Sequence, residues 1–408
     1  MKGEPRRWRG HWPTLVAAFL HFDLSFMLWV LLGALGIYVA EDLRLSPAQK
    51  GLVVALPILS GSLLRVPLGL LSDCLGGKGV GATMLGFLFL PLVLGWRAAD
   101  DVGGLLGVGL MLGTAGASFA VALPLASRWY PAERQGLVMG IAAAGNSGTV
   151  IANLLAPRLA NLFGWHAVFA LAMLPLAAVL AAFVLLAKDS PDRSRGQPAG
   201  RYLAALRRPD LWWLCFFYSI TFGGYVGLSS FLPLFLRDQY AVSPVTAGYL
   251  TALAAFIGSG MRPVGGYLAD KVTGVRLLSV LLVGLGAVYA LAAQLPSLGL
   301  MAGLLALAMT CLGMGNGAVF QLVPQCFRAE IGIATGVVGA VGGIGGFLLP
   351  ILLGNIKQST GSFALGFVVL AMLVAGAAIA LHGLKVRGRW RAPGAVPQVA
   401  DAQRERAA

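Results

Sequence analysis

Long uncharged stretches recur along the chain, for example at 79–96 and 277–293, and they constrain the fold more than any other feature. Such runs match the roughly 20 apolar residues that cross a bilayer as a helix. Only helices and closed barrels satisfy their backbone polar groups inside lipid. The runs are continuous rather than alternating, which excludes a barrel. Charged residues make up 11% of the 408 residues, against roughly 25% in soluble proteins, too few to cover a water-facing surface of this size. The sequence therefore describes an all-α membrane protein. Twelve spans are expected, at about 14–40, 48–72, 79–97, 101–127, 135–163, 165–187, 211–236, 244–268, 274–295, 297–323, 332–353 and 362–385.

The net charge of +14 reports orientation rather than a nucleic-acid partner. On these spans, 22 of the 30 Lys and Arg fall outside the membrane on the side that holds both termini. Five lie on the other side and three (Arg65, Arg158 and Arg262) inside spans. Basic residues accumulate on the cytoplasmic side, so a multi-pass protein of the inner membrane with both termini cytoplasmic is expected. Cys74, Cys215, Cys311 and Cys326 have no metal-ligand spacing. Arg6-Arg7-Trp8-Arg9 has the look of a twin-arginine signal, but the following apolar run is too long for a signal peptide and reads as the first span.

The chain divides into an N-terminal six-helix half (1–187), a polar, basic, Pro- and Gly-broken linker (188–210), a C-terminal half (211–385) and a tail (386–408). The halves are repeats. At an offset of 197 residues, GSLLRVPLGLLSD (61–73) overlays GSGMRPVGGYLAD (258–270), pairing Gly61, Ser62, Arg65, Gly69, Leu71 and Asp73 with Gly258, Ser259, Arg262, Gly266, Leu268 and Asp270. The same offset carries Ala132-Glu133 onto Ala329-Glu330. Parallel six-span halves with a site between them form a transporter architecture. The two Gly-x-x-x-Asp ends, Gly69/Asp73 and Gly266/Asp270, resemble the signature loop of the major facilitator superfamily.

Arg65 precedes Asp73 by eight residues, as Arg262 precedes Asp270. At 1.5 Å per residue, each arginine sits about 12 Å inside the cytoplasmic edge. A charge at that depth normally faces a bundle interior or wet cavity. Asp23 is the carboxylate at a comparable depth, and it cannot neutralise both arginines. Two symmetry-related arginines with a deficit of anions describe an anion site. Asn146, Tyr218, Phe222 and Phe119 fall at similar depth, about 11 to 16 Å in. Tyr218 and Phe222 are four apart and share a helical face; Phe119 and Phe222 fit either core packing or the site. Spans five and eleven are rich in glycine, including Gly145, Gly148, Gly342 and Gly343. Small residues let helices approach closely and leave smooth faces for the bending and sliding of a rocking carrier.

AAAGNSGTVIANLLAPRLA (142–160) and GVVGAVGGIGGFLLP (336–350) resemble the paired glycine-rich signatures of the nitrate/nitrite porter family of that superfamily. FDLSFMLWVLLGALG (22–36), ASFAVALPLASRWYP (117–131), FYSITFGGYVGLSSFLP (217–233) and MRPVGGYLAD (261–270) extend the resemblance over the whole chain, nearest the bacterial assimilatory branch. The resemblance implies that Arg65 and Arg262 clamp the anion. It also implies that Tyr218 and Asn146 supply polar contacts and that Phe119 and Phe222 flank the planar ion. Guanidinium is planar, permanently charged and suited to forked bonds with oxyanions.

The implied function is secondary active transport of nitrate or nitrite across the inner membrane by alternating access, as proton-coupled uptake for assimilation; the alternatives are exchange without proton coupling and carriage of another small anion. A nutrient-sensing transceptor is the reading from another class. No nucleophile–base pair, metal cluster or phosphate loop points to an enzyme, no cofactor is implied, and a monomer in the bilayer is expected. Asp23 and His21 on span one are the candidates for proton coupling. The alternative is that Asp23 balances an arginine and His21 is packed and neutral.

Overall fold

The computed structural model describes residues 10–130, 138, 141–190, 204–327 and 331–386. The loop before span five, the middle of the linker (191–203), the Ala329-Glu330 repeat partner and the tail from 387 lie outside the described residues. Among the described residues, eleven helices are long and apolar enough to cross a membrane. Span five supplies the rest of the expected set with a 3-10 turn at Ala144–Ser147 followed by a helix at Gly148–Phe163.

Helix ends follow local chemistry. Span two (Pro47–Leu75) begins with the Ser46 side chain accepting from Gln49 N, Gln49 returning the bond, and Pro47 in the first turn. Span eight (Pro244–Val272) begins the same way, with Ser243 capping and Pro244 following. Span seven (Pro209–Tyr240) starts inside the segment expected as linker, because Pro209 presets a helical first turn and Asp210 favours its positive end. It also runs past the expected end through Arg237 and Asp238. Span one is not one helix: Trp12–Trp29 is followed by Leu31–Ala34 and Gly36–Asp42, with breaks at Val30 and Leu35. The other spans are Gly77–Arg97, Val102–Ser127, Trp165–Leu186, Gly274–Ala292, Leu298–Cys326, Ile331–Thr360 and Ala364–Val386.

The 197-residue repeat reaches the backbone. Arg44 and Ala241, at equivalent positions, have φ of 51° and 53°. Gly76 and Thr273, also equivalent, have φ of 101° and 78° at the turns that open spans three and nine. Thr273 occupies a left-handed conformation that favours glycine, so pseudo-symmetry holds the turn where the residue type does not.

Contacts between the halves are paired in the same way. A Cβ added to Gly51 (span two) would lie 2.5 Å from the Pro350 carbonyl oxygen of span eleven. One added to Gly248 (span eight) would lie 2.5 Å from that of Asn153 on span five. These four residues are related by the offset, so only glycine fits at both crossings. Spans one and seven cross at Gly33 and Ser230, also 197 apart, where a Cβ on Gly33 would come within 2.6 Å of the Ser230 carbonyl oxygen. At the end of the bundle away from the linker, two ion pairs join the halves: Lys50 with Asp238 at 2.7 Å and Arg237 with Glu41 at 2.9 Å.

Candidate functional site

Span two carries Arg65 down from its capped start to a position where the side chain is 1% exposed. Nε donates to the Gly116 carbonyl of span four at 3.0 Å. Nη1 donates to the Gly339 carbonyl of span eleven, in the other half. Nη2 is buried with no partner. Three rings surround the guanidinium, with centroids at 5.2 Å for Trp29, 5.4 Å for Phe119 and 5.0 Å for Phe222. Cation–π attraction partly offsets the loss of water around such a charge. Among the described residues no carboxylate touches it.

Arg262 reaches the same region from span eight. Its Nη2 donates to the Tyr218 hydroxyl at 3.4 Å, and its guanidinium lies 5.4 Å from the centroid of Phe320. Nη1 is buried without a partner. The two arginines are thus held differently: Arg65 is anchored at two carbonyls, whereas Arg262 has one long bond to a phenol. Each keeps one donor nitrogen uncommitted.

Aromatic side chains form the walls. Tyr218 and Phe222 stack at 4.9 Å with rings parallel to within 1°. Phe320 meets Tyr218 edge-on at 4.8 Å and Phe119 edge-on at 6.0 Å. Phe119 and Phe320 therefore touch across the halves, and each precedes a proline, Pro124 or Pro324, near the end of its span. Asn146 lies on the 3-10 turn of span five, 2% exposed, with Oδ1 unpartnered.

Arg65, Arg262, Tyr218, Phe119 and Phe222 are connected through these contacts. Trp29, Phe320 and the carbonyls of Gly116 and Gly339 belong to the same cluster and were not singled out from the sequence. No repeat spacing marks Phe320: it stands four residues before Pro324, whereas Phe119 stands five before Pro124, and the 197-residue offset carries Phe119 onto Asn316. Asn316, one turn before Phe320, is also buried with Oδ1 unpartnered.

The glycine-rich helices make the cluster possible. A Cβ on Gly342 would fall 2.3 Å from Tyr218 Cδ1, and one on Gly343 1.9 Å from Ser62 Oγ. On span five, a Cβ on Gly145 would meet Asp23 N at 2.8 Å and one on Gly148 the Asp23 carbonyl oxygen at 1.8 Å. Span eleven presses on the site and span five on span one through bare backbone.

His21 and Asp23 point away from each other. The His21 ring is bonded to the Ser118 hydroxyl at 2.6 Å through Nδ1 and to the Gly81 carbonyl at 3.1 Å through Nε2, against Phe183. A carbonyl only accepts, so Nε2 carries the proton. The Asp23 carboxylate accepts from the Ser147 hydroxyl at 2.6 Å and from Gly148 N. Among the described residues it pairs with no arginine; span five's hydroxyl and amide take its oxygens.

In the first signature loop Asp73 pairs with Arg128 at the end of span four, and a Cβ added to Gly69 would lie 3.4 Å from Ala120 Cβ. In the second, Asp270 is exposed, a Cβ on Gly266 would meet nothing, and the position equivalent to Arg128 is Gln325. Among the described residues no group of three His, Cys, Asp or Glu is placed to hold a metal.

Residues 17–350 match the profile of the Major Facilitator Superfamily. The chain is 36% identical to the "Nitrite extrusion protein" of Bacillus subtilis, across 85% of this chain and 88% of that one. It is 35% identical to the "Probable nitrate/nitrite transporter NarK2" of Mycobacterium tuberculosis, across 92% and 97%. With the "Probable nitrate transporter NarT" of Staphylococcus carnosus it shares 32% identity across 92% and 96%. Among solved structures, a bacterial homologue of the human lysosomal transporter Spinster, in an inward-facing and occupied conformation, superposes with a TM-score of 0.70. That match has 21% identity over 93% of this chain and 98% of the other, a likeness of fold.

Proposed function

The chain belongs to the nitrate/nitrite porter family of the major facilitator superfamily, and on that premise we propose that it carries nitrate or nitrite across the inner membrane by alternating access. The observation that carries this reading is a pair of guanidiniums, Arg65 buried and Arg262 half-buried, each with an unpartnered Nη, set against Trp29, Phe119, Phe222 and Phe320 and, among the described residues, without a facing carboxylate. Arg65 and Arg262 clamp the anion, Tyr218 and Asn146 add polar contacts, and Phe119 and Phe222 flank it. A planar, weakly hydrated monovalent anion suits this setting: its desolvation costs less than that of phosphate or sulfate, and aromatic walls admit a flat ion. Without an anion, two like charges in low dielectric repel. Anion binding relieves that repulsion, and a ligand that differs in affinity for the two states shifts the carrier between them.

For the drive, we infer proton-coupled uptake that serves assimilation, with Asp23 and His21 as the coupling groups. Moving an anion inward against a negative-inside potential costs roughly 2.3 kcal/mol per 100 mV, so concentrative uptake needs co-transported cations. One observation favours exchange instead. Arg65 is bonded to Gly339 of the other half, a tie between the halves for which an anion competes at that nitrogen. Proteoliposomes separate the two: nitrate accumulation driven by an imposed pH gradient supports symport, and counterflow without any response to the gradient supports exchange.

A further inference from the structure

Tyr225 lies one turn beyond Phe222 on span seven, is 1% exposed, and has a role in neither the arginine clamp nor the aromatic walls. Its ring sits on Gly258, where an added Cβ would fall 2.8 Å from Tyr225 Cε2. The hydroxyl lies 2.6 Å from Ser259 Oγ on span eight and 3.0 Å from Thr149 Oγ1 on span five, in the other half. Thr149 Oγ1 in turn donates to the Asn146 carbonyl at 2.8 Å.

Each hydroxyl has one proton to give. With the Thr149 proton on the Asn146 carbonyl, Thr149 can only accept from Tyr225. The Tyr225 hydroxyl also lies 3.3 Å from the Ala255 carbonyl of span eight, a longer contact than the one to Thr149; with its proton directed to Thr149, Tyr225 accepts from Ser259. The result is one directed chain, from Ser259 to Tyr225 to Thr149 to the Asn146 backbone. Its ends matter: Ser259 stands one helical turn before Arg262, and Asn146 heads the 3-10 turn of span five. The atoms left without partners, Arg262 Nη1 and Asn146 Oδ1, belong to the segments joined by this chain.

Among the described residues the N-terminal half has no counterpart. Trp29 occupies the matching place on Gly61, within 2.7 Å of an added Cβ, but its Nε1 donates at 2.7 Å to the Pro57 carbonyl of the same half. Arg65 is fixed by carbonyls on two other spans, whereas Arg262 has only its long bond to Tyr218. The half with the less anchored arginine is the one that has a hydroxyl chain.

We propose that Tyr225 is a positioning residue for anion binding. Through Ser259 and Thr149 it sets the register of the Arg262 helix against the Asn146 turn across the interface of the halves. Arg262 and Asn146 thereby converge on one ligand, although Tyr225 itself does not touch it. The proposal rests on the nitrate/nitrite reading above.

The test is nitrate counterflow in proteoliposomes with Tyr225→Phe, Thr149→Val and the double variant, each normalised to the amount of protein inserted. Tyr225→Phe keeps the ring on Gly258 and removes only the hydroxyl; Thr149→Val removes the same bond from the other side. One net hydrogen bond corresponds to a change of about three- to tenfold. Each single variant is expected to raise the half-saturating nitrate concentration by that factor, with a maximal rate within about twofold of wild type. The double variant should be no worse than the worse single, because both break one chain. Unchanged half-saturation in Thr149→Val and Tyr225→Phe overturns the proposal, as does a fall in maximal rate alone, which would mark a packing or gating role. Additive effects in the double variant also overturn it. If Tyr225→Phe does not insert, Thr149→Val and Ser259→Ala decide on the same criterion. Wild-type vesicles that exchange neither nitrate nor nitrite overturn the functional reading together with this proposal, whereas active wild type with indifferent variants overturns the positioning role alone.

Discussion

Arg65 of span two donates a hydrogen bond from Nη1 to the carbonyl of Gly339 on span eleven, tying one half's guanidinium to the other half's backbone. The neighbouring Nη2 has no partner. Under the proposed function an incoming oxyanion takes Nη2 and competes with Gly339 for Nη1, so the nitrogens proposed to bind substrate are also those in contact with the opposite half.

This geometry makes the guanidinium fork, rather than the charge, the functional unit. Arg65→Lys would retain the charge but lose simultaneous bonding to Gly116, Gly339 and the anion; Arg262→Lys would lose the fork beside Tyr218. Each is expected to lower transport by roughly 10- to 100-fold, the range for a lost charge-assisted bond, with membrane insertion retained. Uptake of labelled nitrate against immunodetected protein checks this. Near-normal uptake with unchanged half-saturation in both variants would remove the clamp.

Phe222 forms one wall, stacked on Tyr218 and beneath the Arg65 guanidinium. Phe222→Ala opens that wall and should weaken discrimination between planar and tetrahedral anions more than it reduces expression. Competition of nitrate uptake by phosphate and sulfate gives the readout. Unchanged competition at normal expression would return Phe222 to ordinary core packing.

Much of this site was legible in the sequence because depth is arithmetic. Arg65 and Arg262 could be placed from their spacing to Asp73 and Asp270, and the 197-residue offset predicted a pseudo-symmetry that the backbone keeps even at Thr273. Rotation about the helix axis and the choice of neighbour were less accessible. The Gly116 and Gly339 carbonyls become ligands of Arg65 only once spans four and eleven cross span two, and a carbonyl has no sequence signature. Tyr225 and Trp29 read as apolar-face aromatics until Gly258 and Gly61 admit them. The breaks in span one at Val30 and Leu35 escaped a reading based on hydropathy, which stays high across them. The ends of span seven did so for the opposite reason: Arg237 and Asp238 are helical beyond the apolar stretch.

The glycines of span eleven are not equivalent. An added Cβ at Gly342 collides with the Tyr218 ring at 2.3 Å, whereas one at Gly336 meets nothing within 4 Å. Gly342→Ala should therefore reduce transport severely, roughly tenfold or more, and Gly336→Ala should leave it close to wild type. Parallel uptake assays check the contrast. Equal effects would mean that overall helix flexibility, rather than contact with Tyr218, makes these glycines necessary.

Asp23 is bonded to Ser147 and Gly148, and His21 to Ser118 and Gly81. If either is the coupling group, Asp23→Asn or His21→Gln should lose pH-gradient-driven accumulation while keeping nitrate/nitrite counterflow. Accumulation measured under an imposed gradient decides this. Retention of accumulation in both variants would leave these residues the structural task of holding spans three, four and five against span one.

The central claim is that two opposed arginines within aromatic walls select a small planar anion. The most direct measurement is counterflow in proteoliposomes of the wild-type protein loaded with nitrate, challenged from outside with nitrate, nitrite, chlorate or phosphate, with and without a pH gradient. Exchange with nitrate and nitrite, and indifference to phosphate, is the predicted result. Phosphate exchanging as well as nitrate, or no exchange with nitrate and nitrite in correctly inserted protein, would contradict it.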